Sequence, residues 1–172
     1  MKHFGPILIA AGIAATVLPS LAALQSPADK SENLSRLKQL ATGMSMYSMD
    51  WDDQFPAVQD TPSAFAVEFP YVKDMKVFKS LTPGSRFLFS MAIAGVNVED
   101  IGNPSATIMF YDEKPCSDGR RAVAFADGHA KYAAPDEWAK VSLSLKKKFK
   151  KSGKPLPNNL WKQMWPHTPP PK

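Results

Sequence analysis

Asp127-Gly128-His129 lies inside the run AVAFADGHAKY, from Ala122 to Tyr132. A histidine close to an aspartate can act as a general base, since the carboxylate would orient the imidazole. The same three residues can equally form the tip of a β-hairpin, where Asp-Gly supplies the positive φ a tight turn needs. Asp112, Glu113 and Asp118 are the acids that could join His129 in an acid/base group, but their spacing matches no catalytic pattern. Gly-x-Ser-x-Gly, His-Glu-x-x-His and phosphate-loop motifs are all missing from the sequence. The expectation is therefore that Asp127 and Gly128 are turn residues, that His129 faces solvent, and that the chain is not an enzyme.

Two further sets of side chains suggest binding. Asp50, Asp52 and Asp53 put three carboxylates into four residues just before Phe55-Pro56. Such a loop offers the several oxygens that Ca²⁺ wants, although it lacks EF-hand spacing, and helix-end and turn chemistry accounts for it as well. Lys146, Lys147, Lys148, Lys150, Lys151 and Lys154 form a basic run, and no acidic side chain follows Glu137. Such a run suits an anionic surface, with nucleic acid the less expected partner of an exported chain. Cys116 is the single cysteine, which excludes an intrachain disulfide and any multi-cysteine metal site.

The elements that must position these residues begin at Ser26. Ser26-Pro27-Ala28-Asp29 reads as a helix start: a good N-cap, a proline in the first turn and an acid favouring the dipole. Leu34, Leu37, Ala41, Met44 and Ser48, with Leu40, Tyr47 and Trp51 alongside, make a stripe at helical spacing that ends near Asp50. Residues 52–62 read as a loop. A short helix from Ser63 to Glu68 is stopped by Pro70, and Val77–Lys79 reads as a short strand. Thr82-Pro83-Gly84-Ser85 is a turn.

Strands are expected near 86–91, 106–112, 121–126 and 129–133. With Asp127-Gly128 at the centre of a two-residue turn, Val123, Phe125, Ala130 and Tyr132 share the apolar face of the hairpin. That face and the helix stripe supply each other's partner, which gives an α+β domain with one long helix on a small antiparallel sheet. Pro135 opens a last helix running to about Lys150. Residues 151–172 carry six prolines and read as a flexible basic tail.

The chain starts differently. Phe4 to Leu24 is an uncharged stretch of about 21 residues, roughly 31 Å as a helix, behind Lys2. Small residues at Ser20 and Ala22 fit a signal-peptidase site. Residues 1–25 are thus expected to be a cleaved export signal or an uncleaved membrane anchor acting through residues 4–24, followed by a domain over 26–150. The 44% hydrophobic and 22% charged composition suits an ordinary globular domain, and the net charge of +5 belongs largely to the tail.

Three stretches taken together, NLSRLKQLATGMSMYSMDWDDQFP, YVKDMKVFKS and NPSATIMFYDE…AVAFADGHAKY, resemble bacterial pseudopilin-like proteins of the type II secretion and type IV pilin kind. The resemblance spans roughly residues 33–133 and implies a long N-terminal helix followed by a small antiparallel sheet that closes on Phe-x-Asp-Gly-His. It also implies a location in the periplasm or cell envelope and partners among other envelope or pseudopilin-like proteins. The chain departs from that pattern at the start, which lacks the Gly-Phe processing site and the following Glu. It departs again at Ser117 and Ser80, where the family often has His and Cys. These departures concern assembly into pili more than the fold.

Overall fold

The computed structural model describes residues 25–157, 159–167 and 169. The signal or anchor expected over residues 1–25 lies outside them, apart from Gln25. No helix among the described residues is long and apolar enough to cross a membrane.

Helix α1 spans Pro27–Asp50. Ser26 caps it as expected: its hydroxyl accepts from the Asp29 N–H, and the Asp29 carboxylate accepts back from the Ser26 N–H. The buried face runs Asn33, Leu37, Leu40, Ala41, Met44, Tyr47 and Ser48, a stripe of 3.6 periodicity. Trp51, expected alongside it, is instead the C-cap and 56% exposed.

Strands β1 (Phe87–Phe89), β2 (Ile108–Asp112), β3 (Arg121–Phe125) and β4 (Ala130–Ala133) form an antiparallel sheet in the order β1-β2-β3-β4. The long helix packs on this sheet, so the α+β expectation holds. One face, with Phe87, Phe89, Phe110, Ala122 and Ala124, meets α1 in the main core. The other face, with Ile108, Val123, Phe125 and Ala133, is covered by helix α3 (Pro135–Val141) through Trp138 and Val141. The sheet is thus buried on both sides.

The hairpin differs from expectation by one residue. Val123 pairs with Lys131 and Ala124 with Ala130. The Phe125 carbonyl accepts from the Gly128 N–H at 2.9 Å, and the Phe125 N–H donates to the His129 carbonyl at 2.9 Å. The loop is therefore the three residues Ala126-Asp127-Gly128, with Gly128 at φ 89. A one-residue change in loop length sends β4 over to its other face. Ala130 and Tyr132 now join Ala122 and Ala124 towards α1, while Val123 and Phe125 lie on the opposite side, contrary to the expected apolar face. Small alanines under α1 let the helix approach the sheet closely.

Helix α2 spans Thr61–Val72, capped by Asp60, and passes through Pro70 rather than stopping before it. The proline forfeits one helical hydrogen bond, and the Lys73 N–H closes the last turn on the Phe69 carbonyl at 2.8 Å. Burial of Ala64, Phe65 and Ala66 holds the helix against that loss. Val77–Lys79 is turn rather than strand: the Val77 and Lys79 N–H groups bond back to Asp74 and Lys76.

Where α2 crosses α1, Gly43 lets the helices touch. A Cβ there would sit 2.6 Å from Val72 Cγ2 and 3.1 Å from Glu68 Oε1. Glu68 is fully buried behind it, and neither carboxyl oxygen has a hydrogen-bond partner. Burial pushes its pKa well above the ordinary carboxylate range.

The last helix is shorter than expected. After α3 a 3₁₀ turn covers Ser142–Lys146, and Lys147 is already extended. Ser142 and Ser144 hydroxyls bond back to the Ala139 and Val141 carbonyls, and the neighbouring lysines repel. The supposed tail is a correction too, because residues 151–157 and 159–165 pack on the domain. Lys151 bridges Val96, the Leu156 N–H donates to the Ala57 carbonyl at 3.0 Å, and helix α4 (Leu160–Met164) brings Trp161 into the core at 4% exposure. Burial of Trp161 outweighs the proline content around it.

Candidate interaction surface

The polar residues that could do chemistry gather at the N-terminal end of α1. Asp112, at the end of β2, is fully buried. Its carboxylate accepts from Asn33 Nδ2 at 2.9 Å, Thr82 Oγ1 at 2.8 Å and Ser85 Oγ at 3.2 Å. Asn33 comes from the inner face of α1, and its Oδ1 takes the Leu81 N–H at 2.7 Å. Thr82 and Ser85 are the ends of the expected turn, closed by Ser85 N–H to the Thr82 carbonyl at 3.0 Å with Gly84 at φ 66. Burial raises the Asp112 pKa against the pull of these hydrogen bonds. Beside it the Cys116 thiol donates to Gln25 Oε1 at 3.0 Å, and burial pushes its pKa up, which leaves it a neutral thiol rather than a nucleophilic thiolate. The arrangement ties helix, turn and strand together.

The other expected acid/base residues do not join it. Glu113 points outward to Arg86, two bonds of 3.1 Å. Asp118 pairs with Lys30 at 2.6 Å on the surface. His129 sits at the hairpin tip, its ring stacked on Phe125 at 4.2 Å and its Nδ1 2.6 Å from Asp127 Oδ1. It is half-buried by that stacking rather than fully turned to solvent.

Asp50, Asp52 and Asp53 are all exposed, and they serve the local chain. Asp50 accepts from the Tyr71 hydroxyl at 2.9 Å. Asp52 and Asp53 take consecutive left-handed conformations at φ 54 and 55, which aspartate tolerates better than most residues. That reversal points the Asp53 carbonyl at the Val98 N–H, 2.8 Å away. Among the described residues no group of three or more His, Cys, Asp or Glu side chains is placed to hold a metal ion.

The opposite end of α1 carries apolar side chains in the open. Met46 is 47%, Met49 74% and Trp51 56% exposed, and Met164 of α4 joins them at 43%. Tyr71 links Met46 to Trp51 and Met164: it borders one groove with Met46 and a second, of about 310 Å³, with Tyr47, Trp51, Pro70, Leu160 and Met164. The continuation of α2 past Pro70 is what delivers Tyr71. The packed tail builds the other wall, with Trp165 edge-on to Phe69 at 5.1 Å and beside Trp161 at 5.2 Å. Sequence reasoning missed this surface. Its signals were Met46 and Met49, one turn apart and off the buried stripe, and Trp161 and Trp165, four apart inside a proline-rich stretch.

The chain matches no family model, no curated protein and no solved structure.

Proposed function

We propose that the chain is an exported, non-enzymatic, pseudopilin-like protein of the cell envelope, and that it works by binding another envelope or pseudopilin-like protein in the groove beside Trp51. The observation that carries this is the gathering of Met46, Met49, Trp51 and Met164, four of the five large hydrophobics most exposed among the described residues, around one end of α1. Exposed apolar side chains scattered singly need no explanation, but Trp51 and Met164 border one groove with Tyr71, and Met46 borders a second groove that shares Tyr71, which marks an interaction site. Asp112 and the Cys116 thiol are buried and bonded within the protein, and Glu113 and Asp118 are held in surface ion pairs with Arg86 and Lys30, which favours binding over catalysis.

Export is supported by the uncharged Phe4–Leu24 stretch behind Lys2. The pilin-like reading is supported by the order of elements, one long helix and later an antiparallel meander whose last turn carries Asp127-Gly128. Polymerisation as a main pilin is not part of the proposal. No acidic residue precedes Asp29 to pair with a neighbour's terminal amine, and Pro6 and Pro19 would each cost about 3 kcal/mol inside a helix.

Fractionation of native cells, with the mature N-terminus read by mass spectrometry, tests the proposal. The expected result is recovery in the membrane or periplasmic fraction, starting either at residue 1 or after Ala22. Recovery in the cytosol, or in long filaments with residues 4–24 retained, would contradict it.

A further inference from the structure

Apart from Lys154, which lines a pocket with Trp51 and Asp52, the row from Lys146 to Lys154 belongs neither to the Asp112 network nor to the Trp51 groove. It contains Lys146, Lys147, Lys148, Lys150, Lys151 and Lys154, all exposed. None of the six makes an ion pair with a described residue. With no acidic residue after Glu137, nothing nearby in sequence neutralises them.

The row is held in place. Just before it, Ser144 Oγ accepts from the Ile108 N–H at 3.1 Å. Further along, Lys151 bridges Val96, and the Ser152 and Gly153 N–H groups donate to the Gly95 carbonyl at 2.9 and 3.0 Å. Gly153 lies so close that a Cβ on it would meet Gly95 Cα at 3.0 Å. An extended chain rises about 3.3 Å per residue, so alternate side chains stand roughly 6.6 Å apart on one side. The Lys147 ammonium lies 4.7 Å above the Phe149 ring, in keeping with that alternation. Lys147, Lys148 and Lys151 border a shallow groove of about 400 Å³ whose apolar lining includes Met91, Leu145 and Phe149.

Leu143, 65% exposed, precedes the row within the 3₁₀ turn Ser142–Lys146. Side chains three apart eclipse in such a turn, which puts Leu143 on the same edge as Lys146. A fixed cationic row with an apolar side chain at its edge is the chemistry of an anionic lipid surface: ammonium groups meet phosphates, and leucine enters the acyl boundary. Single-stranded nucleic acid would want free aromatic faces for its bases, and Phe149 already carries the Lys147 ammonium. The geometry points to the Lys146–Lys151 stretch of the row, with Leu143, as a docking site for an anionic phospholipid surface. This assignment does not depend on the partner groove at Trp51.

The test uses the full chain with Lys148→Cys carrying a fluorophore, and Ser35→Cys on α1 as the comparison site. Vesicles of phosphatidylcholine, or of phosphatidylcholine with one-third phosphatidylglycerol, carry spin-labelled headgroups that quench on close approach. A readout at the row itself is independent of any insertion by residues 4–24. Strong quenching at position 148 is expected on the anionic vesicles only, with little at position 35, and high salt should reverse it. Each lysine near such a surface contributes about fivefold to partitioning. A Lys146→Glu/Lys147→Glu/Lys150→Glu/Lys151→Glu variant with an unchanged circular dichroism spectrum should therefore lose at least tenfold. Equal quenching on neutral and anionic vesicles, undiminished quenching in that variant, or tighter binding of an oligothymidylate than of the anionic vesicles overturns the assignment.

Discussion

The two ends of α1, roughly 36 Å apart for 24 residues, reverse the usual division of labour. At the N-terminal end Asn33, Thr82, Asp112 and Cys116, residue types associated with chemistry, are buried and bonded to one another. At the C-terminal end Met46, Met49 and Trp51, residue types associated with cores, stand in solvent. A residue's type proposes a role, and its exposure decides which role is open to it. Asp112 is fully buried with its carboxylate bonded to three side chains, whereas Trp51 beside Tyr71 and Met164 has apolar area still to bury.

The comparison breaks most easily at the closed end. Asp112→Ala would strand the donors of Asn33, Thr82 and Ser85 in the interior, and urea denaturation should show a loss of about 3–5 kcal/mol. Near the open end, Trp161→Ala should cost about 3 kcal/mol by the same measurement, because that ring is core and not tail. A loss below about 0.5 kcal/mol would restore the flexible-tail expectation.

Glu68 sharpens the contrast, being a buried acid without the partners Asp112 has. Above pH 4.5, its ordinary value, the unfolded chain ionises this carboxyl while the folded chain keeps it protonated. The native protein therefore loses stability as pH rises, until the buried group itself ionises. Glu68→Leu should match the native protein's pH dependence less and less as pH climbs, gaining about 1–3 kcal/mol at neutral pH and little below pH 4.5. Melting curves across that range measure it, and a gain independent of pH would show that the carboxyl is not the cause. Gly128→Val, at φ 89 with open space around the added side chain, should cost about 1–2 kcal/mol through backbone strain alone. His129→Ala should cost less, under about 1 kcal/mol, since the ring only stacks on Phe125 and meets Asp127.

Much of the scaffold is written in local signals. Ser26 and Asp29 mark the start of α1, the 3.6 spacing from Leu37 to Tyr47 marks its face, and Thr82-Pro83-Gly84-Ser85 marks its turn. What decides the rest is non-local. Asp-Gly serves a two-residue or a three-residue hairpin loop equally well, and only packing of Ala122 and Ala124 under α1 selects the register. Pro70 reads as a stop until Phe65 and Ala66 are seen to be buried. The hub at Asp112 draws its partners from 79, 30 and 27 residues away, distances at which no spacing rule operates. Exposure was the least legible property: Trp51 reads as part of the helix stripe and is 56% exposed, while Trp161 reads as tail and is 4% exposed.

The most direct test of the contrast is site-specific photocrosslinking from position 49 in native envelopes, comparing the unmodified background with Trp51→Ala. The account predicts a discrete crosslinked partner whose yield falls at least tenfold with Trp51→Ala, while stability changes by less than about 1 kcal/mol. A crosslink that survives Trp51→Ala undiminished, in a protein that remains folded, would contradict it.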